Sequence, residues 1–343
     1  MRQVILDKSG VRRHSRHMTR LLLASTFVLT ACVTHDASHQ HATPAAPDPS
    51  AITLGNGEEN VIQLEGMSRT GPVLTVPKVL AAADSFLVVH PSRNGDIVQT
   101  DYSGSTFVEK GETLDADVLL DSVPTTGEPM VVMLYVDANG DGQFQFGDGV
   151  TVADAPVFEG TTLVAVPTAV PADRAVTAED IALSANLHAA KVNTYLERAL
   201  YRPDSTDSRL RALAHRWLYE IERSDRDVAN FRDVLADNFV LNFSSGRIDT
   251  KEAFQTWLKG PASSVAATRH DIVAFESTPQ LDDRYRVDME LDWNGLTPDG
   301  GRMQARTRHM WIAVDEGGQM PRIETVSVEV VEPFRPTEWD AAP

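Results

Sequence analysis

The apolar run LLLASTFVLTAC, at residues 21–32, constrains how the rest of the chain can be interpreted. It is shorter than the roughly 20 apolar residues that a helix needs to cross a bilayer. Basic side chains precede it, at Arg12, Arg13, Arg16 and Arg20. A positive segment, a short apolar run and then small residues are typical of an export signal. We therefore expect residues 1–31 to be a signal peptide that the mature protein lacks.

The last four residues of this run, Leu29-Thr30-Ala31-Cys32, resemble the lipobox of bacterial lipoproteins. The resemblance implies that Cys32, the only cysteine of the chain, is acylated and becomes the first residue of the mature protein. Because Val33 rather than Asp follows the cysteine, it also implies lipid anchorage in the outer membrane of a Gram-negative envelope, facing the periplasm. Residues 32–50, rich in Pro, Ala and Ser, indicate a flexible tether.

The charge of the chain excludes one class of partner. The full chain has a net charge of -18, and without residues 1–31 it holds 25 basic and 48 acidic side chains, a net charge of -23. Binding to nucleic acid requires a basic surface that neutralises phosphates, and no run of Lys or Arg follows residue 31. We therefore expect no nucleic-acid partner.

Residues 51–174 contain short apolar or alternating runs separated by turn residues: VIQL, VLTVPKVLA, FLVVH, DIVQTDY, DADVLLD, MVVMLYV and TTLVAV. Alternation with a period of two predicts strands. The spacing of the turns predicts an all-β antiparallel sandwich domain without a long helix. The order of apolar strand, Asp/Asn/Gly-rich turn and Phe resembles an uncharacterised β-sandwich family of secreted proteins, a resemblance that implies no activity.

One turn of this predicted sandwich carries a regular pattern of oxygen donors. The segment DANGDGQFQFGD, residues 137–148, fits the start of an EF-hand loop, with donors at positions 1, 3 and 5, glycine at 6 and a carboxylate at 12. It predicts a calcium site with the ligands Asp137, Asn139, Asp141, the Gln143 carbonyl and Asp148. The alternative is a plain hairpin turn, in which Asn-Gly and Asp-Gly supply positive φ angles. Two features favour that alternative, because position 12 is Asp rather than the longer Glu and the flanking run is typical of a strand.

Helical spacing begins after residue 174, where Ile181, Tyr195 and Leu200 share a broad apolar face. We expect a connector helix within residues 175–204, then a second domain at 205–335 and a tail at 336–343. Four strands are predicted in the second domain after Gly260.

Three helices are predicted in the first half of the second domain. The apolar spacing places one from residue 207 or 208 and a short one at 227–236. A strand at 239–243 follows, and then a helix through Leu258 that Asp249 and Glu252 would cap.

Helices first and a four-stranded meander after them predict an α+β cone, in which a curved antiparallel sheet wraps its helices. The segments LADNFVLNFSSGRIDTKEAFQTWLKG, TRHDIVAFES and ARTRHMWIAVDEGGQMPRIETVSV resemble the nuclear transport factor 2-like superfamily, also called SnoaL-like. That superfamily includes ketosteroid isomerases, polyketide cyclases and non-enzymatic binding domains. The resemblance covers about residues 205–333 and implies a pocket between sheet and helices.

Alternation along the strands selects the side chains that face such a pocket. In strand 283–293, Tyr285 shares one face with apolar residues while charged residues occupy the other, which indicates a solvated outer face. The predicted ligand-binding residues are Trp217, Asn242, His270, Tyr285, His309 and Trp311. Because histidine titrates near neutrality, His270 and His309 are candidates for a general base or a ligand hydrogen bond. The alternative is that both are ordinary core histidines.

These observations predict a lipid-anchored envelope protein whose cone domain binds a small apolar ligand or a protein partner. One competing function is an isomerase, dehydratase or cyclase that uses His270 or His309. Isomerase-like chemistry needs a carboxylate base, and strand 239–243 offers only Asn242 at the expected place. The other is a non-catalytic structural adaptor whose cone is filled by side chains. A homodimer through the cone-domain sheet is a further expectation.

Cys32→Ser tests the predicted anchor. The serine variant cannot be acylated at this position, so we expect it in the soluble fraction, unlipidated, while the unaltered protein sediments with membranes. A single acyl chain binds membranes only marginally, so stable anchorage depends on the multiple acylation that the lipobox implies. Membrane fractionation is the measurement, and a serine variant that stays fully membrane-bound contradicts the prediction.

Overall fold

The computed structural model describes residues 52–93, 96–98, 101–146, 154–201 and 205–339. They belong to one compact unit, Pro47–Pro343. The predicted signal peptide, Cys32 and the tether lie outside the described residues. The described chain is rich in β-structure with few helices, and none of its described helices is long and apolar enough to cross a membrane.

Twelve strands form the first part of the described chain, in two sheets. They are β1 Thr53–Gly55, β2 Val61–Gln63, β3 Ser68–Thr70, β4 Val73–Ala81, β5 Ser85–Arg93, β6 Asp96–Ile97, β7 Gly104–Val108, β8 Gly111–Leu119, β9 Pro129–Asp137, β10 Asp154–Pro156, β11 Phe158–Glu159 and β12 Thr162–Ala169. The smaller sheet joins β2, β4 and β3, with β8 on the other edge of β4. The larger sheet has the order β1-β12-β9-β5-β6, with β10, β11 and β7 on its members. The pairs are antiparallel except β1 with β12.

Strands β5 and β9 are apolar along most of their length because both faces of the sheet are covered there. Val132 and Leu134 of β9 pack with the smaller sheet in one core cluster. Val131 and Met133, their neighbours along the strand, belong to a second cluster, which Tyr102, Phe144 and Phe146 cover from the opposite side. A strand that is buried on both faces loses the polar alternation of a half-exposed one.

Three α-helices follow: α1 Ala178–Tyr201, α2 Ser205–Glu222 and α3 Lys251–Lys259. The expected helix at 227–236 is wrong in extent, since only Val228–Phe231 form a 3₁₀ turn and Leu235 already begins a strand. The cap of α3 also differs from the prediction. Thr250 is the N-cap, and its side chain accepts a hydrogen bond from the Ala253 N–H at 3.2 Å.

The remaining strands form a curled six-stranded sheet: β13 Leu235–Phe243, β14 Gly246–Ile248, β15 Ala267–Pro279, β16 Arg284–Leu296, β17 Arg302–Val314 and β18 Arg322–Thr337. Its order is β14-β13-β18-β17-β16-β15, and the β13–β18 pair is parallel. The predicted four-strand meander corresponds to β15–β18. Register shifts in β15, β17 and β18 bend these strands around the core. Val287, Met289 and Leu291 of β16 are buried on the inner face, as their alternation predicted.

Helix α1 is tied to the smaller sheet's last strand by a buried ion cluster. The carboxylate of Asp121, just after β8, pairs with Lys191 Nζ at 2.9 Å and with Arg198 Nη1 at 2.8 Å. Only 3% of the Lys191 side chain and 7% of the Arg198 side chain are exposed. Burial raises the pKa of Asp121, but Lys191 and Arg198 together hold it well below its usual range.

Asp121→Asn should therefore lower the free energy of unfolding by about 3–5 kcal/mol, because it leaves two buried cations without their counter-charge. A carboxyl with a depressed pKa contributes stability above its unfolded value of about 3.9 and loses it as the pH falls further. The difference between the two proteins should thus be full at neutral pH and shrink in acid. Denaturant unfolding measures it.

The matched control is Asp249→Asn, because the Arg247–Asp249 pair is exposed on both sides, at 62% and 52%. Exposed pairs contribute about 0–1 kcal/mol. Equal losses in the two variants would show that the Asp121 cluster is not a structural anchor.

Candidate functional site

A cavity of about 370 Å³ lies between the inner face of the six-stranded sheet and the helices α2 and α3. We call it the sheet–helix cavity. Its wall is mostly apolar and includes Trp217, Ile221, Phe243, Trp257, Met303 and Phe334. Seven polar side chains interrupt that wall: Ser244, Ser245, Ser264, Thr268, His270, Thr307 and His309.

Regular secondary structure places each part of this wall. Trp217 and Ile221 are one helical turn apart on α2, so their side chains share a face. Phe243 at the end of β13 stacks on Trp257 of α3, with ring centroids 4.4 Å apart. Thr307 and His309 alternate with outward-facing residues on β17.

One side chain of the wall, His270, is paired with a buried carboxylate that the sequence prediction missed. Glu222, the last residue of α2, has a side chain that is 0% exposed. Its Oε1 accepts hydrogen bonds from the His270 backbone N–H at 2.7 Å and from the His270 ring Nδ1 at 2.9 Å. A carboxylate acceptor at Nδ1 favours the tautomer with the proton on that nitrogen. It leaves Nε2 as the basic atom of the ring.

The Glu222 carboxyl is held ionised despite its burial. Burial raises its pKa, but the nearby His188 and His270 rings lower it to about 2. The signal in the sequence was a Glu on the buried stripe of α2, since Ala214, Leu218 and Glu222 follow each other at four-residue steps. A charge on an apolar helix face needs a partner, and sequence alone did not supply one.

His309 is buried in the same wall. Burial lowers the pKa of His309 to about 3, and the neighbouring His270 acts in the same direction. The ring is therefore neutral at physiological pH. Within the described residues its Nδ1 has no hydrogen-bond partner, and neither do the buried hydroxyls of Thr268 and Thr307. Buried polar groups are usually paired, so these three can receive polar atoms of a ligand.

The structure places the six residues predicted for ligand binding in two groups. Trp217, His270 and His309 line the sheet–helix cavity. Trp311, Tyr285 and Asn242 lie outside it, which corrects the predicted wall.

Each of these three has a physical reason for its position. Trp311 is 0% exposed and fills the core, with its ring centroid 5.9 Å from that of Trp217. Tyr285 packs against the same core without reaching the cavity. Asn242 is exposed because the inward position of β13 belongs to the buried Leu241.

The predicted calcium loop forms a tight turn in the residues that the structure describes. The Asp137 carboxylate accepts backbone hydrogen bonds from Gly140 and Gly142, both at 2.9 Å, and these glycines have φ near +70°. Asp141 accepts from the Gln143 N–H at 2.8 Å. Asp148 lies outside the described residues. Among those described, no group of three or more His, Cys, Asp or Glu is arranged to hold a metal.

One buried carboxylate beside this turn was not predicted. Asp154 of β10 lies opposite Asp137 of β9 in the strand register. Its side chain is 0% exposed, and its Oδ1 has no hydrogen-bond partner among the described residues. Burial, together with the charges of Asp137 and Asp141, raises its pKa.

Comparisons with known proteins cover parts of the chain. Residues 60–171 match a family described as a domain of unknown function, DUF7282. No curated protein matches the chain.

Three solved structures are each similar to less than half of the chain. The Kfla4162 protein of Kribbella flavida is 16% identical, covers 39% of this chain and 95% of its own, and has a TM-score of 0.35. A nuclear transport factor 2-like superfamily protein of Salmonella enterica is 10% identical, with coverages of 38% and 93% and a TM-score of 0.34. A hexachlorocyclohexane dehydrochlorinase, LinA-type3 of Novosphingobium barchaimii, is 9% identical, with coverages of 36% and 85% and a TM-score of 0.33. The structures similar to part of the chain thus include nuclear transport factor 2-like proteins.

Proposed function

We propose that the sheet–helix cavity binds a small apolar molecule that carries at least one polar group. The observation that supports this most is His270, a side chain of the mostly apolar cavity wall that is paired with the fully buried carboxylate of Glu222. Its volume of about 370 Å³ falls within the range of about 300–1,000 Å³ for ligand pockets. A cone filled by side chains, as a purely structural adaptor would have, is less compatible with this volume.

We also propose a chemical role for this pair, as a base that removes a proton from the bound molecule. Glu222 orients His270 through Nδ1, which leaves Nε2 to accept the proton, and the resulting imidazolium is stabilised by the adjacent carboxylate. When Nε2 takes a proton from carbon, the C–H electron pair stays on the substrate. In an isomerisation it moves into an adjacent carbonyl as an enolate, and the imidazolium returns the proton to a second carbon. In an elimination it forms a C=C bond while a leaving group departs from the neighbouring carbon with its own bonding pair. His309 and Thr307, which line the same cavity and have unpaired polar atoms, would hydrogen-bond the substrate's polar group. This supports the isomerase or dehydratase class over a binding function without chemistry.

The pocket is tested with N-phenyl-1-naphthylamine, a neutral apolar dye that fluoresces when it leaves water. We expect saturable binding to the full chain and at least tenfold weaker binding by Thr307→Phe, whose ring would occupy the cavity. The control is Met310→Phe on the same strand, because Met310 faces outward and is 42% exposed. Unchanged dye affinity in a folded Thr307→Phe variant, or no binding by the unaltered protein, rules out an open apolar pocket.

The proposed base is tested in the same preparations with 5-nitrobenzisoxazole, whose ring opens once a base removes its carbon-bound proton. A positioned general base contributes about 10²–10⁴-fold to a rate, so His270→Gln should lose at least tenfold. Gln keeps an N–H donor for Glu222 but provides no basic nitrogen. A rate that His270→Gln does not change excludes His270 as the base.

The pocket would belong to one domain of a membrane-anchored protein. We infer a protein anchored through Cys32 to the envelope, with a sandwich domain at 51–174 and the cone domain at 205–335. Pairing of two copies through the outer face of the cone-domain sheet belongs to the same proposal, as does a protein partner at the cavity mouth.

We propose calcium as a structural ligand of the loop that begins at Asp137. The buried, unpartnered Oδ1 of Asp154 favours this proposal, because a carboxylate buried without a counter-charge is costly and a cation would supply one. Asp137, Asn139, Asp141, the Gln143 carbonyl and Asp148 are the other proposed ligands.

Native-state binding of calcium stabilises by about 2.7 kcal/mol at a hundredfold excess over Kd. The melting temperature of the full chain should therefore rise with millimolar calcium and fall with a chelator. Asp141→Asn should lose most of this response, whereas Asp117→Asn, an exposed carboxylate on β8, should keep it. If millimolar calcium leaves the melting temperature of the unaltered protein unchanged, the protein does not have the site.

A further inference from the structure

Four ionisable side chains form a continuous buried chain behind the wall of the sheet–helix cavity. His215 of α2 meets His188 of α1 through their Nδ1 atoms, 2.9 Å apart. His188 Nε2 lies 3.3 Å from Glu222 Oε1, an ion-pair distance without hydrogen-bond geometry. The same oxygen accepts from His270 Nδ1 at 2.9 Å. The order from the core to the cavity is thus His215, His188, Glu222, His270.

The contact between the two Nδ1 atoms restricts the tautomers of this chain. A hydrogen bond between two imidazole nitrogens contains one proton, so one ring donates and the other accepts. If His188 donated from Nδ1 as a neutral ring, the lone pair of its Nε2 would face the Glu222 carboxylate. The favourable arrangement has His215 donating from Nδ1 and His188 carrying its proton on Nε2, directed at Glu222. Burial lowers the pKa of His215 well below its usual value, and His188 lowers it further, in keeping with a neutral ring.

This chain is not itself a ligand site. The space beside His188, His215 and Asp271 measures about 10 Å³, which is no more than about one water molecule occupies. The described side chains here also contain no metal-binding group. His188 and His215 can therefore act only through the residues that they touch.

His188 comes from an earlier part of the chain than Glu222 and His270. Glu222 and His270 belong to elements within the predicted cone, whereas His188 lies on α1, which precedes it. One turn further along, α1 is fixed by Lys191 to Asp121 beside β8. On the opposite side β15 is hydrogen-bonded to the first part of the chain, through Arg269 Nη2 to the Thr70 carbonyl at 3.0 Å and through the Val123 N–H to the Ile272 carbonyl at 2.8 Å.

We propose that His188 is a positioning residue for the Glu222–His270 pair, contributed from outside the cone. This rests on the proposed function, in which His270 acts as the base. Without His188, more of the negative charge of Glu222 would act on His270, and a negative charge favours the protonated ring over the one that can accept a proton. A nearby N–H of His188 offsets part of that charge and keeps the carboxylate oriented toward His270 Nδ1, which favours an unprotonated Nε2.

Other charged and titratable groups act on this chain and stay unchanged in the test. They reach it from the elements packed around it: Asp121, Lys191, Arg211, Arg269, Asp271 and His309.

The test is ¹⁵N NMR of the histidine rings in the full chain, with signals assigned from single His→Gln variants. In the unaltered protein at neutral pH we expect His270 and His215 protonated on Nδ1 and His188 protonated on Nε2. In His188→Leu the carboxylate loses the nearby Nε2–H, so the pH at which His270 becomes doubly protonated should rise by about one unit. His188→Gln, which keeps an N–H at the position of Nε2, should restore the original value.

Either of two results overturns the proposal. One is a folded His188→Leu variant in which the tautomer and the titration of His270 are unchanged, since a purely structural residue would leave both in place. The other needs no substitution: His188 found with its proton on Nδ1 in the unaltered protein. Loss of dye binding or of benzisoxazole turnover would instead concern the pocket itself, so the two proposals fail by different measurements.

Discussion

The buried negative charge of Glu222 is the constraint on which the candidate site depends. A carboxylate with no exposed side-chain surface is costly unless charged or N–H partners surround it. Its partners come from α1 and β15, so the charge is stabilised only when both elements pack against the end of α2. The contacts that stabilise the Glu222 carboxylate therefore also fix the position and the tautomer of His270. One oxygen, Oε2, has no partner among the described residues, so the site is polar and incompletely satisfied.

A second carboxylate, which is only partly exposed, is paired with cations rather than with imidazole rings. Asp121 has two cations at hydrogen-bond distance, and both belong to α1. It therefore fixes α1 against the smaller sheet, while His188 on the same helix faces Glu222. Because α1 contacts both carboxylates, a displacement of this helix would change both clusters. Side chains of α1 thus connect the first part of the chain with the Glu222–His270 pair.

The cavity itself follows from the curvature of the sheet. Register shifts in β15, β17 and β18 bend the long strands, and the core fills only part of the space that they enclose. Large rings close one end: Trp217, Phe254 and Trp311 pack together. Toward the other end, smaller or polar side chains such as Thr307 and His309 leave space next to the apolar wall. Along a single strand, the size and polarity of the side chains thus decide where the core is packed and where the cavity begins.

Local patterns in the sequence determined most of the secondary structure. Alternation identified the strands of both parts and the inward face of β16, and helical spacing identified α1 and α2, because these periods are properties of the backbone. The exceptions arose where neighbouring residues can play the same role. The N-cap of α3, for example, is Thr250 rather than Asp249. The resemblance to nuclear transport factor 2-like proteins anticipated the curved sheet, and alternation anticipated that His270 and His309 face inward.

Only the tertiary structure decided which side chains meet. Glu222 and His270 are 48 residues apart, and His188 and His215 are 27 apart, so no local period relates them. The same limit misplaced Trp311, since alternation shows which face of a strand is buried but not whether that part of the face meets core or cavity. The sequence by itself determined the elements and their faces. The pairing of a buried charge with its partners required the folded chain, because burial and distance are set by packing between elements remote in sequence.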